Sequence, residues 1–167
     1  TVYHARYSFD EAGTWYRQAL NLSVQLDKQD QVAVVFHHLG LLAQTRGFFY
    51  DDAADWFLLA LKKFEDLGDI RSAGDECRQL GVLYHEQEKF DEAEHWYERA
   101  LGLFDEAHDV QRTARTYGQL GMVSESRGDL CGALEWVART YSLAIEHDLP
   151  IISQVKPHLA RLREKYG

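Results

Sequence analysis

Proline is nearly missing from these 167 residues, with two copies, as are cysteine, with two, and methionine, with one. So few prolines leave long helices free to form. Cys77 and Cys131 are far apart, outside any CxxC and without histidine spacing for zinc, so the simplest reading is a reducing compartment without a structural metal. No stretch approaches the roughly 18 to 20 apolar residues of a membrane span, and the opening TVYHARYSFDEA is not a signal peptide. A cytoplasmic protein without membrane contact is expected. Positive charge is also short: 18 Lys and Arg stand against 27 Asp and Glu, a formal net charge of -9. That balance disfavours nucleic acid, whose phosphates select basic patches, and suits neutral or basic partners.

What is present is a folded composition, 46% hydrophobic and 27% charged, on a chain that fits one compact domain or one short repeat array. The sequence FDEAEHWYERAL at 90–101 nearly repeats FDEAGTWYRQAL at 9–20. All four tryptophans, Trp15, Trp56, Trp96 and Trp136, fall 41, 40 and 40 residues apart. An alanine precedes each by three (Ala12, Ala53, Ala93, Ala133), and Ala19, Ala60, Ala100 and, as an exception, Thr140 follow by four. Upstream, HLG at 38–40 and QLG at 79–81 and 119–121 keep the same beat. Self-similarity at this period signals a stack of supersecondary units, each burying its apolar face on its neighbours.

The units read as helical. From His37 to Phe64 apolar residues recur at steps of three and four, with no alternating run long enough for a strand. Asp30, Asp69 and Asp109 recur where an N-cap is needed, and Gly68 suits a helix C′ position. Each unit is then two antiparallel helices, A carrying LG and B carrying AxxW. Gly40, Gly81 and Gly121 on A, facing the alanines of B, let two backbones approach, while Phe57, Tyr97 and Val137 fill the space beside them.

The order aromatic-x2-L-G-x2-Y followed by A-x3-F or Y resembles the tetratricopeptide repeat. The third unit shows it in Cys77, Leu80, Gly81, Tyr84, Ala93 and Tyr97. The second gives Phe36, Leu39, Gly40, Ala43, Ala53 and Phe57, and the fourth Tyr117, Leu120, Gly121, Ser124, Ala133 and Val137. The first opens late, with Tyr3, Ala12 and Tyr16. A repeat near 40 residues without the terminal proline is similar to the longer form in sensor regions of bacterial signal-transduction ATPases and in kinesin light chains. The resemblance implies an all-α, right-handed superhelical solenoid of helix hairpins. Its parts are a partial first repeat at 1–28, full repeats at 29–68, 69–108 and 109–148, and a capping helix at 149–167. The short first unit suggests a fragment of a longer array. GFFYDDA adds one residue to the turn of the second repeat, and Pro157 is expected to break or start the capping helix, with Leu159 and Leu162 docking behind it.

No catalytic constellation is visible: no GxxxxGK, GxSxG or HExxH. No cofactor is implied, and the chain reads as no enzyme. Among the eight histidines, His37 and His38 point about 100° apart on a helix, and neither has a His or Cys four residues away, so no metal site is implied. The four tryptophans, at one repeat position, most simply pack between helices, and runs such as DEAEH form a solvated face. Cys77 takes the place of an A-helix aromatic and reads as core; Cys131 lies near a turn, where it reads as exposed.

The resemblance implies that A helices line a concave partner-binding surface. Residues offset +1, +5 and +8 from the signature aromatic face away from the hairpin interface. The +5 row is Leu41, Val82 and Met122, flanked by His37, Arg78 and Gly118 and by Gln44, His85 and Glu125. An apolar row with a mixed-charge rim fits an extended or helical peptide, although the same row can pack between A helices. The carboxylate clamp of some family members needs lysine in these rows, and there is none. The expected function is protein or peptide binding, as the sensing or scaffolding part of a larger regulator. Two alternatives stand beside it: homo-oligomerisation through the open N-terminal end near Tyr3 and Tyr7, and small-molecule recognition near Gly118, His85 and Met122.

Overall fold

The computed structural model describes residues 2–45 and 50–166, without the side chains of 2–8, 154, 158 and 162–166. Tyr3 and Tyr7 as exposed aromatics, the aromatic turn at 47–49 and the docking of Leu162 lie outside the described side chains. All regular structure among the described residues is α-helical: α1 (Val2–Gln25), α2 (Gln29–Thr45), α3 (Tyr50–Asp66), α4 (Ile70–Glu86), α5 (Phe90–Glu106), α6 (Val110–Arg127), α7 (Leu130–Glu146) and α8 (Ile152–Tyr166). The chain divides into two compact units, 1–83 and 84–167.

Among the described residues one turn is made six times. Asp27, Gly68, Glu88, His108, Gly128 and Asp148 each take a left-handed φ between 49° and 85° just past a helix. In each turn the N–H after the left-handed residue bonds a carbonyl five residues back, as Asp109 N–H does with Phe104 O (2.8 Å) and Asp129 N–H with Ser124 O (2.8 Å). This is the Schellman closure, which satisfies carbonyls that the helix end leaves bare. Two of the six carry glycine. The other four hold a side chain where the left-handed region costs about 1–2 kcal/mol, so the turn is enforced by the packing on either side.

N-caps follow the turns. Asp69 accepts from Ser72 N–H (3.1 Å), Asp109 from Arg112 N–H (3.0 Å) and Asp129 from Gly132 N–H (3.0 Å). The expected cap at Asp30 is corrected: α2 starts at Gln29, so Asp30 lies in its first turn. The residue in register with Asp69 and Asp109 is Lys28, because the second repeat is one residue longer. Asp30 still favours the helix, as a carboxylate near the positive end of its dipole.

In the first unit α2 packs on α1 and α3, and Lys63 Nζ at the end of α3 reaches Gln29 Oε1 at the start of α2 (2.8 Å), so the pair is antiparallel. The hairpin closes at Gly40, where a Cβ would stand 2.6 Å from the buried ring of Phe57. The second unit repeats the device: α6 packs on α5 and α7, and a Cβ at Gly121 would stand 3.3 Å from Val137 Cγ2. Ala53, Ala60, Ala93, Ala100 and Ala133 are fully buried, as small residues at close contacts should be. Thr140, the exception in the alanine row, is also buried, and its hydroxyl donates to Trp136 O of its own helix (2.9 Å).

Both ends depart from expectation. Residues ahead of Phe9 continue α1 without the turn that precedes the later B helices, so Tyr3 and Ala12 share one helix; Ala5 and Arg6 are good helix formers. Nor does Pro157 break or start the last helix, which runs through it from Ile152 to Tyr166. The proline removes the helical bond to Ser153 O, and Ser153 is an exposed residue. Leu159 packs with Ile151, Tyr141 and Leu134 around buried Val137 and Val155.

Candidate partner-binding surface

The tryptophans split. Trp56 stacks on Phe36 (5.6 Å between centroids) and Trp136 on Tyr117 (5.5 Å), each B-helix indole lying on the A-helix signature aromatic of its own hairpin. Trp96 meets His95 edge-on and lies under the Arg99 guanidinium. Trp15 is 69% exposed, so the expectation that all four pack between helices fails there. Cys77 is buried and Cys131 exposed, as read from their places in the repeat.

The A-helix rows are half open. In the first unit His37, Leu41, Gln44, Arg78 and Val82 are each half-buried. In the second, His85, Gly118 and Glu125 are half-buried and Met122 is 45% exposed. Gly118 keeps open space, with nothing within 4 Å of where a Cβ would stand. His85 Nε2 lies 2.9 Å from Ser126 Oγ, and burial lowers its pKa, so the ring is neutral there. Glu125 is gripped by Arg161 of α8 at 2.9 and 3.0 Å, which makes it a docking point for the capping helix as well as a rim residue.

One residue of this face escapes a reading by motif. Glu76 sits in α4 just before Cys77, in register with Val35 and Thr116, and all three are buried. Thr116 satisfies its hydroxyl on Arg112 O of its own helix (2.9 Å). Glu76 has no such outlet. Its Oε1 lies 2.8 Å from His37 Nδ1 of α2, a short ionic contact without hydrogen-bond alignment, and its Oε2 is buried with no partner. The carboxylate beside His37 raises that imidazole's pKa against the opposing effect of burial, while burial raises the pKa of Glu76 against the opposing effect of His37. His38, beside it, is pushed the other way by burial and by His37, and stacks on Tyr16 (5.4 Å). Comparing repeats position by position exposes the anomaly: a carboxylate where the units before and after carry Val and Thr.

Glu76 and His37 line a cavity of about 160 Å³ with Val34, Phe64, Ser72 and Asp75. Arg78 Nε lies 3.7 Å from Asp75 Oδ1 at the rim. Among the described residues no group of three or more His, Cys, Asp or Glu is placed to hold a metal ion. No helix among the described residues is long and apolar enough to cross a membrane.

Residues 76–146 match the family model of the tetratricopeptide repeat. A comparison with curated proteins gave no match. Among solved structures, BtubC (BKLC) from P. vanneervenii superposes with a TM-score of 0.80 at 25% identity, over 96% of this chain and 67% of that one. A Podosopora anserina protein described as a kinesin light chain with nearly identical TPR-like repeats gives a TM-score of 0.68 at 13% identity, over 97% and 85%. The N-terminal domain of stress-induced protein-1 from C. elegans gives 0.60 at 22%, over 77% and 95%. These likenesses establish an all-α fold of the TPR-like solenoid class.

Proposed function

The chain is a tetratricopeptide-repeat protein, and from that premise we propose that it is a non-catalytic binding module that holds a protein or peptide on the exposed faces of its A helices. Families of this repeat are in general protein-interaction modules, and the chain fits that coarse description. The finer reading rests on Met122: an apolar side chain 45% exposed beside Gly118, with open space where the other repeats carry His37 and Arg78. A large apolar side chain left open at a repeat position is where a partner gains most from desolvation. Leu41 and Val82 take the same role in their own repeats, and the net charge of -9 favours neutral or basic partners in the cytoplasm.

The test is capture from the native lysate by the chain and by its Leu41→Asp, Val82→Asp and Met122→Asp variants, each checked for helical content. Partners retained by the unmodified chain and lost by folded variants support the reading; an unchanged partner list sinks it. A second reading, self-association, is favoured by Trp15, which is exposed where Trp56 and Trp136 are stacked. It predicts a mass that rises with concentration and falls in Trp15→Glu.

A further inference from the structure

Burying a carboxylate costs several kcal/mol unless it is paired and its lone pairs are used. Glu76 is 2% exposed, half of its acceptor capacity is idle, and the repeat position it occupies takes Val35 and Thr116 elsewhere. Nothing in the hairpin packing calls for a charge there. A residue that breaks the repeat at a cost in stability, in the wall of a cavity on the proposed binding face, has the signature of a site.

We propose that the cavity formed by Glu76, Asp75, Ser72, His37, Val34 and Phe64 receives one arginine side chain of a bound polypeptide, with Glu76 as the principal acceptor. The lining matches that chemistry. Glu76, Asp75 and the Ser72 hydroxyl offer acceptors on α4, while Val34 and Phe64 offer apolar walls from α2 and α3. A guanidinium is planar, forks to more than one acceptor, stacks on aromatic rings and is weakly hydrated. An ammonium is a strongly hydrated point charge that gains less from apolar walls. His37 acts as the resident stand-in: its ring faces Glu76 Oε1, and the incoming guanidinium takes over that carboxylate. Asp75 and Arg78 on α4 and His38 on α2 are further titratable groups beside it, with Arg78 Nε 3.7 Å from Asp75 Oδ1.

This proposal rests on the A-helix reading and narrows it to one class of side chain. Its test needs no natural partner. The labelled full chain is titrated with the peptide Gly-Gly-Arg-Gly-Gly, its citrulline and lysine counterparts, and methylguanidinium, and backbone amides are followed by two-dimensional NMR. Saturable shifts centred on residues 34–37 and 72–76 with the arginine peptide, weaker ones with lysine and none with citrulline are expected. Glu76→Gln weakens arginine binding about tenfold or more, the loss of one charged hydrogen bond. Glu76→Met abolishes binding while keeping a melting temperature at or above that of the unmodified chain, which separates a lost site from a lost fold. His37→Gln strengthens arginine binding, because the group that competes for Glu76 is removed. Methylguanidinium binding as well as the peptide assigns the site to free guanidino compounds and overturns the polypeptide assignment. Equal response to arginine and citrulline, or unchanged binding in Glu76→Gln, overturns the site altogether. Failure here leaves the capture result on Met122 standing, and loss of capture with arginine binding intact separates the two in the other direction.

Discussion

His37 Nδ1 on α2 and Glu76 Oε1 on α4 approach to 2.8 Å with Glu76 almost wholly buried. Each group has its pKa raised, His37 by the carboxylate and Glu76 by burial, so the folded chain holds protons more tightly than the unfolded chain at both. Stability from a raised group is fully present below the unfolded value and is lost as pH rises through the folded one. For His37 the window opens at 6.5 and for Glu76 at 4.5. His38 and His85, whose pKa values are lowered by burial, act in the opposite sense, with stability lost as pH falls through their folded values below 6.5. The contrast between the unmodified chain and Glu76→Gln therefore isolates the pair. Thermal melts across this range should show the unmodified chain losing stability relative to the variant as pH rises from 4.5, with the His37 contribution added above 6.5; parallel profiles would mean that the contact carries no linkage.

The hairpin interface is tested by two glycines of opposite surroundings. A Cβ at Gly40 would overlap the Phe57 ring at 2.6 Å, whereas at Gly102 on α5 it meets nothing within 4 Å. Gly40→Ala should cost about 1–3 kcal/mol by overpacking. Gly102→Ala should stabilise by up to about 1 kcal/mol through helix propensity alone. Urea unfolding of the two variants decides; equal effects would refute the close approach.

The turns give a paired expectation. His108 holds φ 52° in the place where Gly128 holds φ 85°. His108→Gly should raise stability by about 1 kcal/mol and Gly128→Ala should lower it by a similar amount, since the left-handed region penalises a Cβ. Differential scanning calorimetry reads both, and a drop in His108→Gly would show that its side chain contributes more than its backbone loses.

Much of the architecture was legible because the tryptophans, the LG pairs and the buried alanines mark one register, and a hairpin stack follows from register alone. The same register, applied to single residues, would have corrected the cap: Lys28 and not Asp30 aligns with Asp69, since the long second repeat shifts the count by one. Pro157 was misread because a proline's penalty depends on whether the carbonyl it abandons can reach water, and exposure is not written in sequence. Trp15 was misread for a related reason. A repeat position predicts burial only when a neighbouring element covers it. The His37–Glu76 cavity escaped notice because motif reading looks for residues that recur, and Glu76 matters for departing from the pattern. The A-helix rows were named from helical geometry alone, whereas what a surface binds is decided by its chemistry in three dimensions, which the repeat pattern does not carry.

The central claim is that the A helices, and not the B helices, meet the partner. Hydrogen exchange of the chain alone and saturated with its captured partner measures this directly. The account predicts slowed exchange in peptides covering Val34–Gln44, Asp75–His85 and Arg115–Glu125. Protection confined to α3, α5 and α7, with those A-helix peptides unchanged, would contradict it.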